Sequence, residues 1–317
     1  MSIERINYRG WPNAWRIFNQ TIELVVTGDV GPRIIHASFI GEENHLHVAA
    51  ETAGKTSPEG VWYPYGGHRL WLAPEDRQRT YQPDNEEVEI DKRSVLCLNA
   101  RACERMTGLR KEMEVRLYAD EPCALITHRL RNTGLWPVTL GPWSITQMAA
   151  GGTVIAPLPP RGDQPSNLLP TGIVAIWPYT NMADPRFTWG HKCIILRQDS
   201  SRRDPLKFGI RCTEGWAAYA RNQQLFVKFF SLNPTATYPD MGCNFESFVN
   251  GEMLEVESMG PMTLLEPGAT VEHVERWVLL RDVQQPNSES DVESMIYPAI
   301  DLAKRRAGME GDVDELM

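Results

Sequence analysis

Apolar residues in this chain recur at every second position over short runs, and rarely at the three-to-four spacing of a helix. Lys111 to Tyr118 (KEMEVRLY) shows it most cleanly. Met113, Val115 and Leu117 face one way, Glu112, Glu114 and Arg116 the other, as in an antiparallel sheet with one wet face. Ile22 to Thr27 and Arg33 to Ile40 flank the turn residues Gly28-Asp29 and Gly31-Pro32 and read as a hairpin-like pair. Further strands are expected at 87–91, 94–100, 123–131, 136–149, 193–198, 207–212, 216–220, 225–230, 243–250, 253–258 and 271–280. Glu42 to Val48 reads as a short edge element. The Pro-rich stretch 153–171 reads as a surface connection, and 173–189 as an aromatic-bearing loop. The one helical pattern is Val292 to Arg306, with Val292, Ile296 and Ile300 on one face and Pro298 limiting its regularity. After it, 308–317 is an acidic tail expected to fray. About sixteen strands, no βαβ alternation and no blade-length repeat predict one all-β domain over 1–317, a sandwich or barrel.

Composition narrows the function classes. The 317 residues are 42% hydrophobic and 23% charged, enough for a large core. With 32 Lys+Arg against 41 Asp+Glu the net charge is −9, which argues against nucleic acid and anionic membrane as partners. No apolar run of bilayer length and no secretory h-region occurs, so a cytoplasmic location is expected. The six cysteines are scattered without a CxxC pair, so reduced thiols and no metal site of the zinc type are expected.

Candidate chemistry concentrates in two places. Tyr63 to Tyr81 (YPYGGHRLWLAPEDRQRTY) sets Gly66-Gly67 before His68 and Arg69 among aromatic residues. Aromatic faces beside hydrogen-bonding heads suit a sugar ring; the plainer reading is a corner whose charges pair with Glu75 and Asp76. In Met253 to Ser258 the strand period puts Glu255 and Glu257 on one face, where neighbouring carboxylates raise each other's pKa; the alternative is the wet face of an edge strand. His273, Glu275 and Trp277 share a face, either as a proton-shuttling pair or as a salt-linked wet surface. His45 and His47 lie two apart, and Asp240, Asn244 and Glu246 could offer oxygens to a cation. No Ser–His–Asp signature, nucleophile elbow or phosphate loop is present.

The segments Gly31 to Ile35, GGHRLWLAPE (66–75), YQPDN (81–85), WPYTNMADPR (177–186), YPDMGCNFE (238–246) and LEVESMGP (254–261) resemble the DUF4380 family. That family looks like a branch of the galactose-mutarotase-like, or aldose 1-epimerase-like, superfamily. The resemblance implies a β-supersandwich fold, a small-molecule carbohydrate ligand and cofactor-free acid–base catalysis at the anomeric carbon. Carried over by position, Glu255 matches the catalytic base, Glu257 the next polar position and Arg69 a substrate clamp. The run Pro137-Val138-Thr139-Leu140-Gly141-Pro142 leads to Trp143 where mutarotases have their acid histidine. His68 is then expected as the acid and His273 as the second choice, with Trp143 and Trp177 as stacking platforms. A non-catalytic sugar-binding protein, or a lyase or hydrolase acting on a sugar or uronic acid, stays open beside the isomerase.

Overall fold

The computed structural model describes residues 1–58, 60–85 and 87–309. The acidic tail expected at 308–317 lies almost wholly outside them. Two antiparallel sheets of eleven and ten strands stack face to face around one core, so the all-β sandwich is observed. Pairing is driven by alternation: Met113, Val115 and Leu117 are buried between the sheets, while Glu112, Glu114 and Arg116 stay at least partly exposed. The C-terminal helix covers the outer face of the second sheet, burying Val292, Ile296 and Ile300 there. Its chain begins with Ser288 capping Glu289–Asp291, widens into a π turn over Val292–Ile296, and resumes as Tyr297–Arg306 with Pro298 in its first turn.

Several expectations need correction. Thr153–Pro157 is a buried strand of the second sheet, and only the rest of 153–171 runs over the surface. Its composition is uninformative because Pro157 ends the strand, where no further ladder donor is required. The stretch 42–48 forms isolated bridges instead of an edge strand, Leu46 with Met148 and Val48 with Gly66. Met253–Met259 is a central strand, paired on both sides and buried along its whole length, so Glu255 and Glu257 do not line a wet edge. His273, Glu275 and Trp277 do share a face, but it looks into the sandwich.

The stretch expected to be a corner, His68–Ala73, is also a central strand. The Gly66-Gly67 pair leads into it with φ of +85° and +72°. A Cβ on Gly67 would lie 2.3 Å from the Ile34 carbonyl oxygen, and one on Gly66 2.4 Å from that of His47. Only glycine permits this backbone crossing and this sign of φ together.

Candidate active site

Five strands of the first sheet put one row of side chains after another on the face turned away from the second sheet. The Val138–Ala149 strand lies between His68–Ala73 and Met253–Met259, and Phe245–Val249 and Leu206–Ile210 follow. Registers place Trp71 beside Trp143 and Met259, Arg69 beside Ile145, Glu257 and Glu246, and Gln147 beside Glu255. Because period two sends alternate residues to opposite faces, Arg69, Trp143, Glu255 and Glu257 must share this side.

These residues underlie a cavity in two connected parts. An inner chamber of about 290 Å³ is lined by Trp62, Arg69, Trp71, Gln147, Lys207 and Glu255, among others. It meets an outer opening of about 740 Å³ that Trp177, Arg77 and Asp240 help to line, with Glu75, Tyr81, Trp143 and Lys207 common to both. Trp62, Trp71, Tyr81 and Trp143 form edge-to-face contacts with centroids 5.1–5.5 Å apart. Edge-to-face packing locks such rings into a rigid wall.

The polar groups are held tightly. Glu255 Oε1 accepts from Gln147 Nε2 at 2.7 Å and from Arg69 Nη2 at 3.4 Å. The Arg69 guanidinium lies over the Trp71 ring, 4.2 Å from its centroid. Glu257 is fully buried just beneath the floor and accepts from Trp143 Nε1 at 2.8 Å and from Lys207 Nζ at 3.2 Å. Lys207 Nζ also lies 2.7 Å from Glu246 Oε2 and over the rings of Trp143 and Trp177, at 4.6 and 4.7 Å. Burial works against the Lys207 ammonium, but Glu257 and Glu246 outweigh it and hold its pKa well above the usual value. Burial, helped by the charge of Glu255 and opposed by Lys207, pushes Glu257 up to about 7. Burial likewise drives Glu246 well above the carboxylate range, with Lys207 pulling the other way. The trio therefore holds a firm cation beside two carboxyls that burial biases toward their protonated forms.

His68 and His273 are not in this cavity. The expectation that His68, Arg69, Glu255 and Glu257 line one pocket is corrected for His68. Adjacent strand residues point to opposite faces, so placing Arg69 in the cavity sends His68 into the sandwich. There His128 Nδ1 faces the His273 carbonyl oxygen at 3.1 Å and must carry the proton. Its Nε2 therefore accepts from His68 Nε2 at 2.7 Å, and His68 Nδ1 accepts from Thr146 Oγ1 at 2.8 Å. Burial keeps both rings below their usual pKa, and takes His273 to about 3. Glu275 gathers Lys228 Nζ at 2.8 Å, Ser258 Oγ at 2.6 Å, Trp277 Nε1 at 2.8 Å, and Ser144 Oγ. Burial opposes its ionisation, but Lys228 overcomes that and holds the carboxyl well below the usual range. Ligand-type atoms of His68, His128 and Glu275 do lie within 4.8 Å of one another. The fit to a cation is poor, since the two rings already bond each other and the Lys228 ammonium sits on the carboxylate. Asp240, Asn244 and Glu246 do not assemble a cation site either: Asn244 is bonded to the Cys212 backbone and Glu246 faces Lys207.

Lys207 was missed by sequence reasoning, because a lone Lys in a strand pattern carries no motif. Its one sequence signal is that it interrupts an otherwise apolar run, Leu206 to Ile210, whose residues are all buried. His47, expected with His45 as an exposed polar edge or a metal pair, is half-buried, and burial lowers its pKa against the charges of Glu252, Glu51 and Glu255.

Comparison with solved structures decides the fold. A candidate aldose 1-epimerase from Escherichia coli K12 superposes with a TM-score of 0.55 over 85% of this chain and 99% of its own, at 12% identity. A galactose mutarotase related enzyme from Lactobacillus acidophilus gives 0.53 over 87% and 100%, at 9% identity. The fold is that of the galactose mutarotase-like proteins. A galactose mutarotase-like protein from Lactobacillus casei agrees, at 0.53 over 84% and 100% with 8% identity. At such identities the likeness shows the fold alone. No family model matches the chain, the DUF4380 resemblance included, and no curated protein matches it. Among the described residues no helix is long and apolar enough to cross a membrane.

Proposed function

We propose that the two-part cavity binds a carbohydrate and interconverts its anomers by acid–base chemistry. The observation that carries this reading is that Glu255 and Lys207, a carboxylate and a firmly protonated amine, both face the inner chamber. Glu255 takes the proton of the anomeric hydroxyl as the C1–O5 ring bond breaks. Lys207 gives a proton to the ring oxygen, and Glu257 behind it, 3.2 Å away, resupplies that proton. Rotation about C1–C2 and the reverse transfers then close the other anomer, with no net change in protons. Arg69 holds a substrate oxygen, and Trp143 and Trp177 wall the sugar. His68, first expected as the acid, has no place in this scheme, nor has His273 as a substrate contact. Galactose mutarotase-like neighbours are consistent with such a ligand.

A second reading, sugar binding without turnover, is favoured by one observation: no histidine is among the described residues that line the two chambers. Anomer exchange measured by NMR saturation transfer across common aldoses and uronic acids separates the two. Acceleration over buffer that disappears in Glu255→Gln supports catalysis. Saturable binding with no acceleration for any sugar removes the isomerase and leaves the binding protein.

A further inference from the structure

Resting on the reading of the cavity as a carbohydrate site, we infer that its ligand is a sugar acid, whose carboxylate is received by Arg69 on the wall made by Trp62 and Trp71. The observation is a set of buried donors with nothing to donate to. Arg69 is 3% exposed, and its Nε and Nη1 have no partner. The indole Nε1 atoms of Trp62 and Trp71 are buried and unpartnered as well. All three residues line the inner chamber, with the Arg69 guanidinium 4.2 Å from the Trp71 centroid and 5.7 Å from that of Trp62. Buried N–H groups left without an acceptor are costly, and these belong to residues that line the chamber, so a small turn that brings them to a ligand group that only accepts relieves that cost. A hydroxyl brings a donor that this wall cannot use. A carboxylate brings two acceptor oxygens and a charge that complements the guanidinium.

The other charges in the chamber fit the same orientation. Glu255 binds Arg69 through Nη2 alone, by a long 3.4 Å contact, and takes its shorter bond from Gln147. Arg69 is thus only partly neutralised from within the protein. Lys207, by contrast, already has an acceptor on two sides, Glu246 Oε2 at 2.7 Å and Glu257 Oε2 at 3.2 Å, while Arg69 Nε and Nη1 have none. The carboxylate end of the ligand therefore belongs at Arg69 and the ring-oxygen end at Lys207.

The experiment is isothermal titration of the unaltered protein with D-glucuronate, D-galacturonate, their methyl esters, the parent aldoses and the aldose 6-phosphates, with anomer exchange followed on the same samples. Charge-assisted hydrogen bonds predict that an acid binds about tenfold or more tightly than its ester and its parent aldose. In Arg69→Gln that ratio falls to near one, and Trp62→Phe, which deletes one N–H and keeps a smaller aromatic ring, lowers it in part. Equal affinity for acid and ester in the unaltered protein overturns the proposal without recourse to a variant. So does tighter binding of the 6-phosphates, or a preference that survives Arg69→Gln. Acid-selective binding without anomer exchange supports the carboxylate site and removes only the isomerase. Exchange of neutral aldoses with no preference for acids does the reverse.

Discussion

Replacing Glu257 by Gln tests the electrostatics of the cavity floor. The residue is fully buried, and its carboxyl stands at about 7 against an ordinary 4.5, chiefly through burial. A carboxyl raised in the folded state binds its proton more tightly folded than unfolded. Its stabilising contribution is therefore complete below the unfolded value near 4.5 and is lost as pH rises through the folded value near 7. The size of that loss is about 3 kcal/mol. Gln cannot ionise, yet it keeps an acceptor for the Trp143 indole, which donates at 2.8 Å in the native protein. Lys207 also keeps a carboxylate partner, Glu246, at 2.7 Å. With Glu257 neutral, Glu246 has Lys207 to itself and is no longer repelled by a second carboxylate, so it too resists the pH rise less. Urea unfolding of both proteins, followed by tryptophan fluorescence from pH 5 to pH 8, reads the effect directly. The native protein should lose about 3 kcal/mol relative to Glu257→Gln across that window. Two curves that stay parallel would refute the argument that burial, and not the ion pair with Lys207, dominates this group.

Three further outcomes follow from the same geometry. Lys228→Met leaves Glu275 as an unpaired buried charge and should destabilise by about 3–5 kcal/mol, with part recovered in the double variant Lys228→Met/Glu275→Gln; thermal unfolding checks both. Glu255→Gln should slow anomer exchange by about 10²–10⁴-fold while sugar binding by titration changes only severalfold, and equal slowing by loss of binding would count against a base. Gly67→Ala forces a Cβ to 2.3 Å from the Ile34 carbonyl at a φ of +72°, so the melting temperature should drop by the equivalent of at least about 1–3 kcal/mol, whereas Gly41→Ala, whose Cβ meets nothing within 4 Å, should cost less.

Much of the fold was legible. Alternation at Met113, Val115 and Leu117 located a half-wet strand, and the spacing of Val292, Ile296 and Ile300 located the helix and its buried face. Legibility failed for strands buried on both faces, because there polarity no longer tracks exposure. His68–Ala73 reads as a polar corner, yet it is a central strand whose His and Arg each enter a different buried polar cluster. Met253–Met259 reads as amphipathic, yet its carboxylates are buried along with its leucine and valine. Lys207 and Lys228 illustrate the limit best: nothing near either in the chain announces the Glu246, Glu257 and Glu275 that meet them.

The sequence by itself determined an all-β chain and where most of its strands run; it did not separate His68 from Arg69, because that stretch does not read as a strand. It also determined that Glu255 and Glu257 share a face. The period-two rule is local and needs no partner strand. Only the tertiary structure decided which face is which. It put Arg69, Glu255 and Lys207 in a cavity and His68 with His128, His273 and Glu275 in the sandwich interior. That choice depends on pairing between strands far apart in the chain, where register sets each side chain's neighbours and burial then sets its charge.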